Sequence, residues 1–323
     1  MFSIVDLDVR GGLRVRHDLE AVAPPGRGVV RWIDIASPDL ALIAQLRQAF
    51  GFHEEALRDC LEFGLRPRLD EFPEYLFLVF HAFSEDPVDP LEIRIHELHA
   101  FLGADFLVTI HDNDIASQQS VWAQATTKPE LLNKGPGWPL ALLITSMAEY
   151  TLPLATALLA QSDALERAVI ESGKEVATAV DLTPAFRVRR TAISMRRLLK
   201  PTEAALAGLM RRGDRLGQRA ALEIREAGDR MQRLSETIDE AYFMANNVVS
   251  SYHVLQAGRT NEVVKRLTMF GSIFMPLGII VGFWGQNFTS FLPFDQPWAF
   301  AVMLASLILV PLAIFAYFQR KQL

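Results

Sequence analysis

NEVVKRLTMFGSIFMPLGIIVGFWGQNF, from Asn261 to Phe288, passes from a charged helical pattern through an uncharged span into a turn that contains glycine and amide residues. Residues Leu267 to Trp284 form eighteen positions without a charge, and Trp298 to Phe318 form a second uncharged stretch of twenty-one. Both lengths suit a helix that crosses a hydrocarbon core of roughly 30 Å. The sequence therefore predicts a membrane protein that ends in a hairpin of two transmembrane helices.

The distribution of Lys and Arg around the two spans predicts their orientation. The loop between them, Gly285 to Pro297, contains neither residue type, whereas basic residues stand at the other end of each span. Because basic residues favour the cytoplasmic side, we expect both termini in the cytoplasm and the loop on the outer side of the inner membrane. These basic residues are Lys265 and Arg266 before the first span and Arg320 and Lys321 after the second.

The composition of the remaining residues predicts a cytoplasmic domain with its own core. Charged residues make up 22% of the chain, and the net charge is -6. The start, MFSIVDLDVR, has Asp where a signal peptide would have an apolar run, so we expect no export of this region. Cys60 is the only cysteine and cannot form an intramolecular disulfide. A mildly acidic charge leaves no electrostatic footprint for nucleic acid.

The pattern changes from α/β to helical along this domain. Val29 to Ile35 and Tyr75 to Phe83 predict strands, and the runs on either side of Gly103 predict a hairpin. The absence of proline between Pro201 and Pro276 lets one helix run from near residue 217 into the membrane. The predicted regions are 1–135, an N-terminal α/β domain; 136–266, helical with a long stalk helix; and 267–323, the hairpin with its basic tail, in which the first span covers 267–284, the loop 285–297 and the second span 298–318.

A third apolar segment, Trp138 to Ala160, is an alternative span. It contains Glu149 and Pro153, and a carboxylate there would cost on the order of 2.5 to 3.5 kcal/mol on insertion. We therefore predict a helix of the domain core.

Small residues distinguish the first span from the second. They recur at helical spacing and allow close approach of backbones in lipid, whereas the second span is bulky and aliphatic. This division predicts that the first span lies at a protein interior and that the second faces lipid. The alternative is a monomeric anchor in which the first helix packs only against the second. The small residues are Gly271, Ser272, Gly278 and Gly282.

The turn after the first span combines Gly285 with the amides of Gln286 and Asn287. Amide oxygens accept hydrogen bonds without carrying charge, and Mg²⁺ usually keeps several of its waters. A ring of such groups from several subunits would form a weak site for a hydrated cation at a pore mouth. The alternative is an interfacial turn with no ion near it.

The run from Asn261 to Phe288 resembles the pore helix of the CorA superfamily of divalent-cation transporters, which includes the ZntB zinc transporters. That family has N-E-x-x-K, a mid-span Pro and Y/F-G-M-N-F. RWIDIASPD, GLRPRLDEFPEYLFLVFHAF and FLGADFLVTIHD resemble its N-terminal domain, and Tyr252 and Arg259 fall where its stalk helix commonly has Tyr and Arg. Gln286 departs from the pattern, because the family has Met there.

The resemblance implies a funnel-shaped homopentamer in membrane lipid: an α+β cytoplasmic domain (an α/β sandwich), a long stalk helix and a two-helix transmembrane hairpin. The first span of each subunit would line the pore, Leu267 and Met275 would form apolar constrictions, and Gly285, Gln286 and Asn287 would select hydrated ions. Five copies of Asp295 would concentrate cations at the entrance. The implied lining is Asn261, Val264, Leu267, Gly271, Met275, Gly278 and Gly282, with Asn261 as a polar ring at the cytoplasmic end. The resemblance also implies a basic collar at the membrane's inner face, formed by Lys265, Arg266, Arg320 and Lys321.

The family also uses carboxylates for regulatory metal sites between subunits. The candidates in this chain are Asp86, Asp89, Glu223, Glu226, Asp239 and Glu240. They would hold divalent cations such as Mg²⁺, and otherwise they are ordinary surface charges. No other cofactor is expected.

The resulting prediction is transport of Mg²⁺ or Zn²⁺, with Co²⁺ and Ni²⁺ as further candidates. One alternative is a non-conducting scaffold or metal sensor that keeps the fold. Another is a membrane-anchored metal-dependent hydrolase that uses the histidines. His96 and His99 in HELH lie three residues apart, so on a strand they point to opposite faces, which disfavours shared zinc ligation. No nucleophile, base and orienting group stand together in the sequence, which disfavours an enzyme.

Overall fold

The strands of the N-terminal region form one mixed sheet. The computed structural model describes residues 2–8, 12–18, 22–89, 91–172, 180–216, 218–285 and 297–320. In this part of the chain the sheet has seven strands in the order β2-β1-β3-β7-β6-β5-β4. Only the β3 and β7 pairing is parallel. The strands are β1 Phe2–Asp8, β2 Leu13–Arg16, β3 Val29–Ala36, β4 Arg68–Glu71, β5 Tyr75–Glu85, β6 Ile93–Gly103 and β7 Phe106–His111.

The helices cover both faces of this sheet and then form the C-terminal region. Asp39 caps the first helix by accepting a hydrogen bond of 2.8 Å from the Leu42 amide, and Gly51 ends it with a φ of 67°. The helices are α1 Leu40–Phe50, α2 Glu54–Asp59, α3 Ala116–Thr127, α4 Pro129–Leu132, α5 Gly137–Ser172, α6 Thr183–Met210, α7 Gly213–Leu216, α8 Gln218–Trp284 and α9 Pro297–Arg320.

The chain divides into two compact units, Met1–Val249 and Ser250–Leu323. The division lies inside α8 and inside the predicted helical region 136–266. Helix α8 is continuous up to Pro276, as predicted from the lack of proline between Pro201 and Pro276, and it also continues beyond Pro276 to Trp284.

Strand β5 is buried on both faces, because alternate side chains enter two different cores. Leu78 and Phe80 belong to the core with α3, α5, α6 and α8. Phe77 and Val79 belong to the core with α1 and α2. The predicted strand is therefore confirmed, and so is the hairpin at Gly103, where β6 pairs antiparallel with β7. The sheet forms the middle layer of an α/β sandwich.

In the first unit, α8 contributes one buried seam whose residues alternate between steps of four and three. This spacing is that of a coiled-coil seam and keeps one stripe toward neighbouring helices. The helix is joined to α5 by Ser162, whose hydroxyl donates to the Ala241 carbonyl at 3.3 Å. The seam consists of Ala220, Ile224, Ala227, Met231, Leu234, Ile238, Ala241, Ala245 and Val248.

Among the described residues, three helices are long and apolar enough to cross a membrane. The most apolar window of α5 is 56% buried within the chain, whereas the corresponding windows of α8 and α9 are 0% and 6% buried. The burial of α5 favours its predicted place in the domain core. The exposed apolar segments of α8 and α9 correspond to the two predicted spans, and both lie in the second unit.

A candidate ion pathway on the first membrane span

The seven predicted lining residues lie on one exposed face of α8. At about 100° per residue they fall within an arc of roughly 120°, and all of them are exposed. The opposite side of the helix is half-buried. The first span therefore has one open face and one partly covered face. The half-buried side carries Met269, Ile273, Pro276, Ile280 and Trp284.

Helix α9 has a matching stripe. Ala299 is buried, and Met303, Ser306, Val310 and Ile314 are half-buried at helical spacing. Because the second unit is compact and its described residues belong to these two helices, we infer that the stripe of α9 packs against the half-buried side of α8. That packing leaves the open face of α8 for other contacts, and it leaves bulky side chains on the outer surface of α9.

The open face alternates large apolar residues with glycine. Leu267 and Met275 are each 71% exposed, and they are separated by roughly 12 Å along the axis at 1.5 Å per residue. A Cβ atom added to Gly271, Gly278 or Gly282 would meet no side chain of the described residues within 4 Å. Packing within the chain therefore does not require these glycines, as expected if they permit close approach of another chain.

The predicted selectivity turn is described only at its first residue. Gly285 is exposed, and its amide donates to the Val281 carbonyl at 2.9 Å, which closes the last turn of α8. Gln286, Asn287 and Asp295 lie outside the described residues, so their roles remain predictions.

The predicted basic collar is exposed where it is described. Lys265, Arg266 and Arg320 are exposed, and Arg266 approaches Glu262 at 3.8 Å. Lys321 lies outside the described residues. Asn261, also exposed, is one helical turn from Lys265.

The acidic residues near the end of β5 are engaged by arginines of the same chain. Asp86 accepts from the Val88 amide at 2.9 Å and from Arg94 at 3.1 Å, and these hydrogen bonds lower the pKa of its carboxyl group. Asp89 pairs with Arg187 of α6, which lowers the pKa of Asp89. In the single chain both carboxylates therefore act in ion pairs, and metal binding there remains a prediction.

Two of the four acidic candidates on α8 also form ion pairs within the chain. Asp239 pairs with Arg196 at 2.6 Å and with Lys200 at 3.3 Å. Glu226 pairs with Arg230. Glu223 is half-buried and Glu240 is exposed. Within the described ranges, no three His, Cys, Asp or Glu residues stand close enough to hold a metal ion.

A buried carboxylate in the sheet was not predicted from the sequence. Glu97 accepts hydrogen bonds from the amides of Gly64 at 2.6 Å and Leu65 at 2.9 Å, and it contacts the Nε2 atoms of His81 at 3.3 Å and His99 at 2.5 Å. Burial alone would raise the pKa of this carboxyl group, but the hydrogen bonds from the histidines and from Gly64 outweigh burial and lower its pKa to about 2. The cluster holds the loop after α2 against the sheet.

Two sequence signals point to this cluster. Glu97 and His99 are two residues apart on a strand, so they share a face. His81 interrupts an apolar strand at the position that pairs with Glu97 in the β5 and β6 register. The sequence alone does not give the register of β5 and β6, and for this reason the cluster was not predicted. The other histidines of the zinc alternative are held separately: His96 contacts Ser84 at 2.8 Å, and His111 contacts Asp34 at 3.3 Å.

Comparisons with known proteins agree over most of the chain. A family model described as CorA-like Mg2+ transporter protein matches residues 27–320. The putative metal ion transporter YfjQ of Bacillus subtilis is 27% identical and covers 81% of this chain and 79% of its own length. The cobalt/magnesium transport protein CorA of Thermotoga maritima is 24% identical and covers 94% and 87%.

Solved structures show the same fold. The CorA magnesium transporter from Methanocaldococcus jannaschii has a TM-score of 0.75 at 17% identity and covers 98% of this chain and 97% of its own. The cytoplasmic domain of ZntB from Vibrio parahaemolyticus has a TM-score of 0.60 at 12% identity and covers 80% and 99%. The similarity therefore includes both the α/β sandwich and the C-terminal helices.

Proposed function

We propose, from the premise that the chain belongs to the CorA-like Mg²⁺ transporter family, that it carries divalent metal cations across the inner membrane through a pore between five copies of α8. Members of this family are transporters rather than enzymes. The observation that carries the proposal is the open face of α8, on which every predicted lining residue is exposed while the opposite side is half-buried.

The chemistry of this face supports a conduit more than a lone anchor. In an isolated anchor, glycines on this exposed face would have no role in packing. In a helix that contacts other copies, they would allow close approach of the backbones. Around a central axis, Leu267 and Met275 would form two narrow apolar rings, and such rings can close a pore by dewetting. The bulky residues of α9 would then face lipid, where they are stable.

The absence of carboxylates on this face bears on the ion. From Leu267 to Gly285 the sequence contains no charged residue, so a cation in the pore would contact backbone and amide oxygens and keep part of its water shell. Mg²⁺ loses water reluctantly and suits such a site. Mg²⁺ is therefore the proposed main substrate, and Co²⁺, Ni²⁺ and Zn²⁺ are candidates for competition assays. Asn287, Gln286 and Asp295 would attract the hydrated ion at the outer entrance.

Flux of Mg²⁺ into proteoliposomes with an internal Mg²⁺-sensitive dye tests the proposal. We expect uptake by the wild-type chain and reduced uptake by Asn287→Ala and by Gly278→Leu, because the first removes an amide and the second fills the open face. Leu309→Ala is the matched control, since Leu309 is an exposed residue of α9. Absence of uptake for every divalent cation would contradict the proposal.

Gln286 favours one alternative, a non-conducting scaffold or sensor. It stands where the related pore signature has Met, and a changed entrance can abolish conduction while the fold remains. Gln286→Met distinguishes the two functions. A variant that conducts while the wild type does not would support the scaffold, and equal conduction by both would show that the entrance tolerates either side chain.

A further inference from the structure

Helix α6 carries an exposed stripe of basic and apolar residues on the surface of the first unit. Phe186, Arg190, Ile193 and Arg197 are all exposed, and their spacing places them within roughly 60° of one another on the helix. The ion pairs that α6 makes within the chain use Arg187, Arg196 and Lys200; in the described part of the chain, Arg190 and Arg197 form none. We call these four residues the basic stripe: Phe186, Arg190, Ile193 and Arg197.

Helix α8 carries a complementary stripe. Glu236, Glu240 and Phe243 are exposed and lie within roughly 60° of one another, away from the buried seam. Glu236 accepts a hydrogen bond of 2.9 Å from Gln232. No ion pair of Glu236 or Glu240 occurs among the described residues. We call these three residues the acidic stripe: Glu236, Glu240 and Phe243.

The two stripes lie at the same height along the helices. Arg189 contacts Asn246 at 3.4 Å, and Arg196 contacts Asp239 at 2.6 Å. The two helices therefore run antiparallel, and each step along α6 toward its C-terminus matches an equal step along α8 toward its N-terminus. This antiparallel register places Arg197 level with a position between Glu236 and Glu240, and it places Ile193 next to the level of Phe243.

From this register we propose that the basic stripe of one subunit docks on the acidic stripe of the next. The inference rests on the proposed function, because it takes the chain to form a ring. Rotation about an axis parallel to α8 keeps every residue at its height, so only patches of equal height can meet in such a heterologous contact. Arg197 then lies between two carboxylates, and Phe243 packs on Ile193. The opposite charges fix the register of the subunits, and the aromatic and aliphatic groups are buried at the centre.

Crosslinking between differently tagged full-length chains tests this contact. A chain with Arg197→Cys is co-expressed with a chain that carries Glu240→Cys, and membranes are oxidised and separated without reductant. The native Cys60 is buried, which keeps the background low. We expect a disulfide-linked dimer that contains both tags. The control replaces Arg197→Cys by Arg14→Cys, because Arg14 is an exposed residue on β2; this pair should give no such dimer.

Charge exchange provides the second measurement. Arg190→Glu with Arg197→Glu should lower the fraction of assembled complex on native mass spectrometry about tenfold, and adding Glu236→Arg with Glu240→Arg should restore it. Failure of crosslinking and of rescue in a chain that still assembles and takes up Mg²⁺ would overturn this contact and leave the proposed transport intact. A wild-type chain that neither assembles nor transports would overturn the proposed function instead.

Discussion

Replacement of Glu97 should destabilise the first unit more than replacement of the exposed Glu85 on the same sheet. Its buried carboxylate accepts from four donors: the imidazoles of His81 and His99, which are buried, and the amides of Gly64 and Leu65, which are exposed and half-buried. Glu97→Ala leaves the two buried imidazoles without an acceptor, whereas the two amides can bind water, so at about 1 to 3 kcal/mol for each buried group the expected loss is on the order of 2 to 4 kcal/mol. That is a large part of the stability of an ordinary domain.

The pH dependence gives an independent measure of the same interaction. The pKa of Glu97 falls from 4.5 to about 2 on folding, which corresponds to roughly 3 kcal/mol at 1.36 kcal/mol per pKa unit. Because the folded-state pKa is depressed, this stabilisation is fully present above pH 4.5 and is lost as the pH falls through about 2. Glu97→Gln cannot ionise, so its stability deficit relative to the wild type should shrink over this interval.

Urea denaturation of a fragment that covers Met1–Val249, monitored by circular dichroism at several pH values between 6 and 2, measures the unfolding free energy and its pH dependence. This fragment contains both hydrophobic cores. Glu85→Gln is the control, since Glu85 is exposed at the end of β5 and should leave the unfolding free energy nearly unchanged. Parallel pH profiles for the wild type and Glu97→Gln, or a loss below about 1 kcal/mol for Glu97→Ala, would refute the reasoning.

Three further substitutions test packing and conduction. Ala227→Phe overfills the buried seam of α8 and should lower the unfolding free energy by about 1 to 3 kcal/mol, whereas Leu222→Phe on the exposed side should change it by less than about 0.5 kcal/mol. Gly103→Ala should lower the thermal midpoint in calorimetry, because the added Cβ would lie 2.2 Å from the Phe106 ring. Leu267→Ser should raise Mg²⁺ leak in the dye assay, because a smaller polar ring resists dewetting; an unchanged leak would count against the constriction.

Local patterns were sufficient for the elements whose sequences are almost entirely apolar. The run YLFLVFHAF predicts a strand covered on both faces, and β5 is buried from Tyr75 through Phe83. An uncharged stretch of eighteen residues predicts the first span, and α8 ends at Trp284. These predictions succeed because they depend on composition and spacing within one segment.

Long-range pairings were not predictable in this way. The strands β1 and β2 were missed, although Asp6 of β1 is buried against Arg31 of β3 at 2.6 Å. The parallel pairing of β3 with β7 joins segments that are distant in the chain. The four-donor site of Glu97 depends on the register of β5 and β6, and one residue of slippage would move its histidine partner to the other face.

The candidate pathway is incomplete within one chain for a physical reason. The seam of α8 is buried as far as Val248 by the chain's own helices, because its four-and-three spacing matches neighbours that the same chain provides. On the first span, exposed Leu267 and Met275 alternate with glycines at which an added Cβ would have no contact within 4 Å to a residue outside its own helical turn in the described part of the chain. A face of this kind is stable in a membrane only when lipid or other copies cover it. The bulky side chains of α9 are suited to lipid, whereas the glycines of α8 favour close contact with neighbouring helices. The different residue patterns of the two helices therefore indicate different surroundings in the membrane.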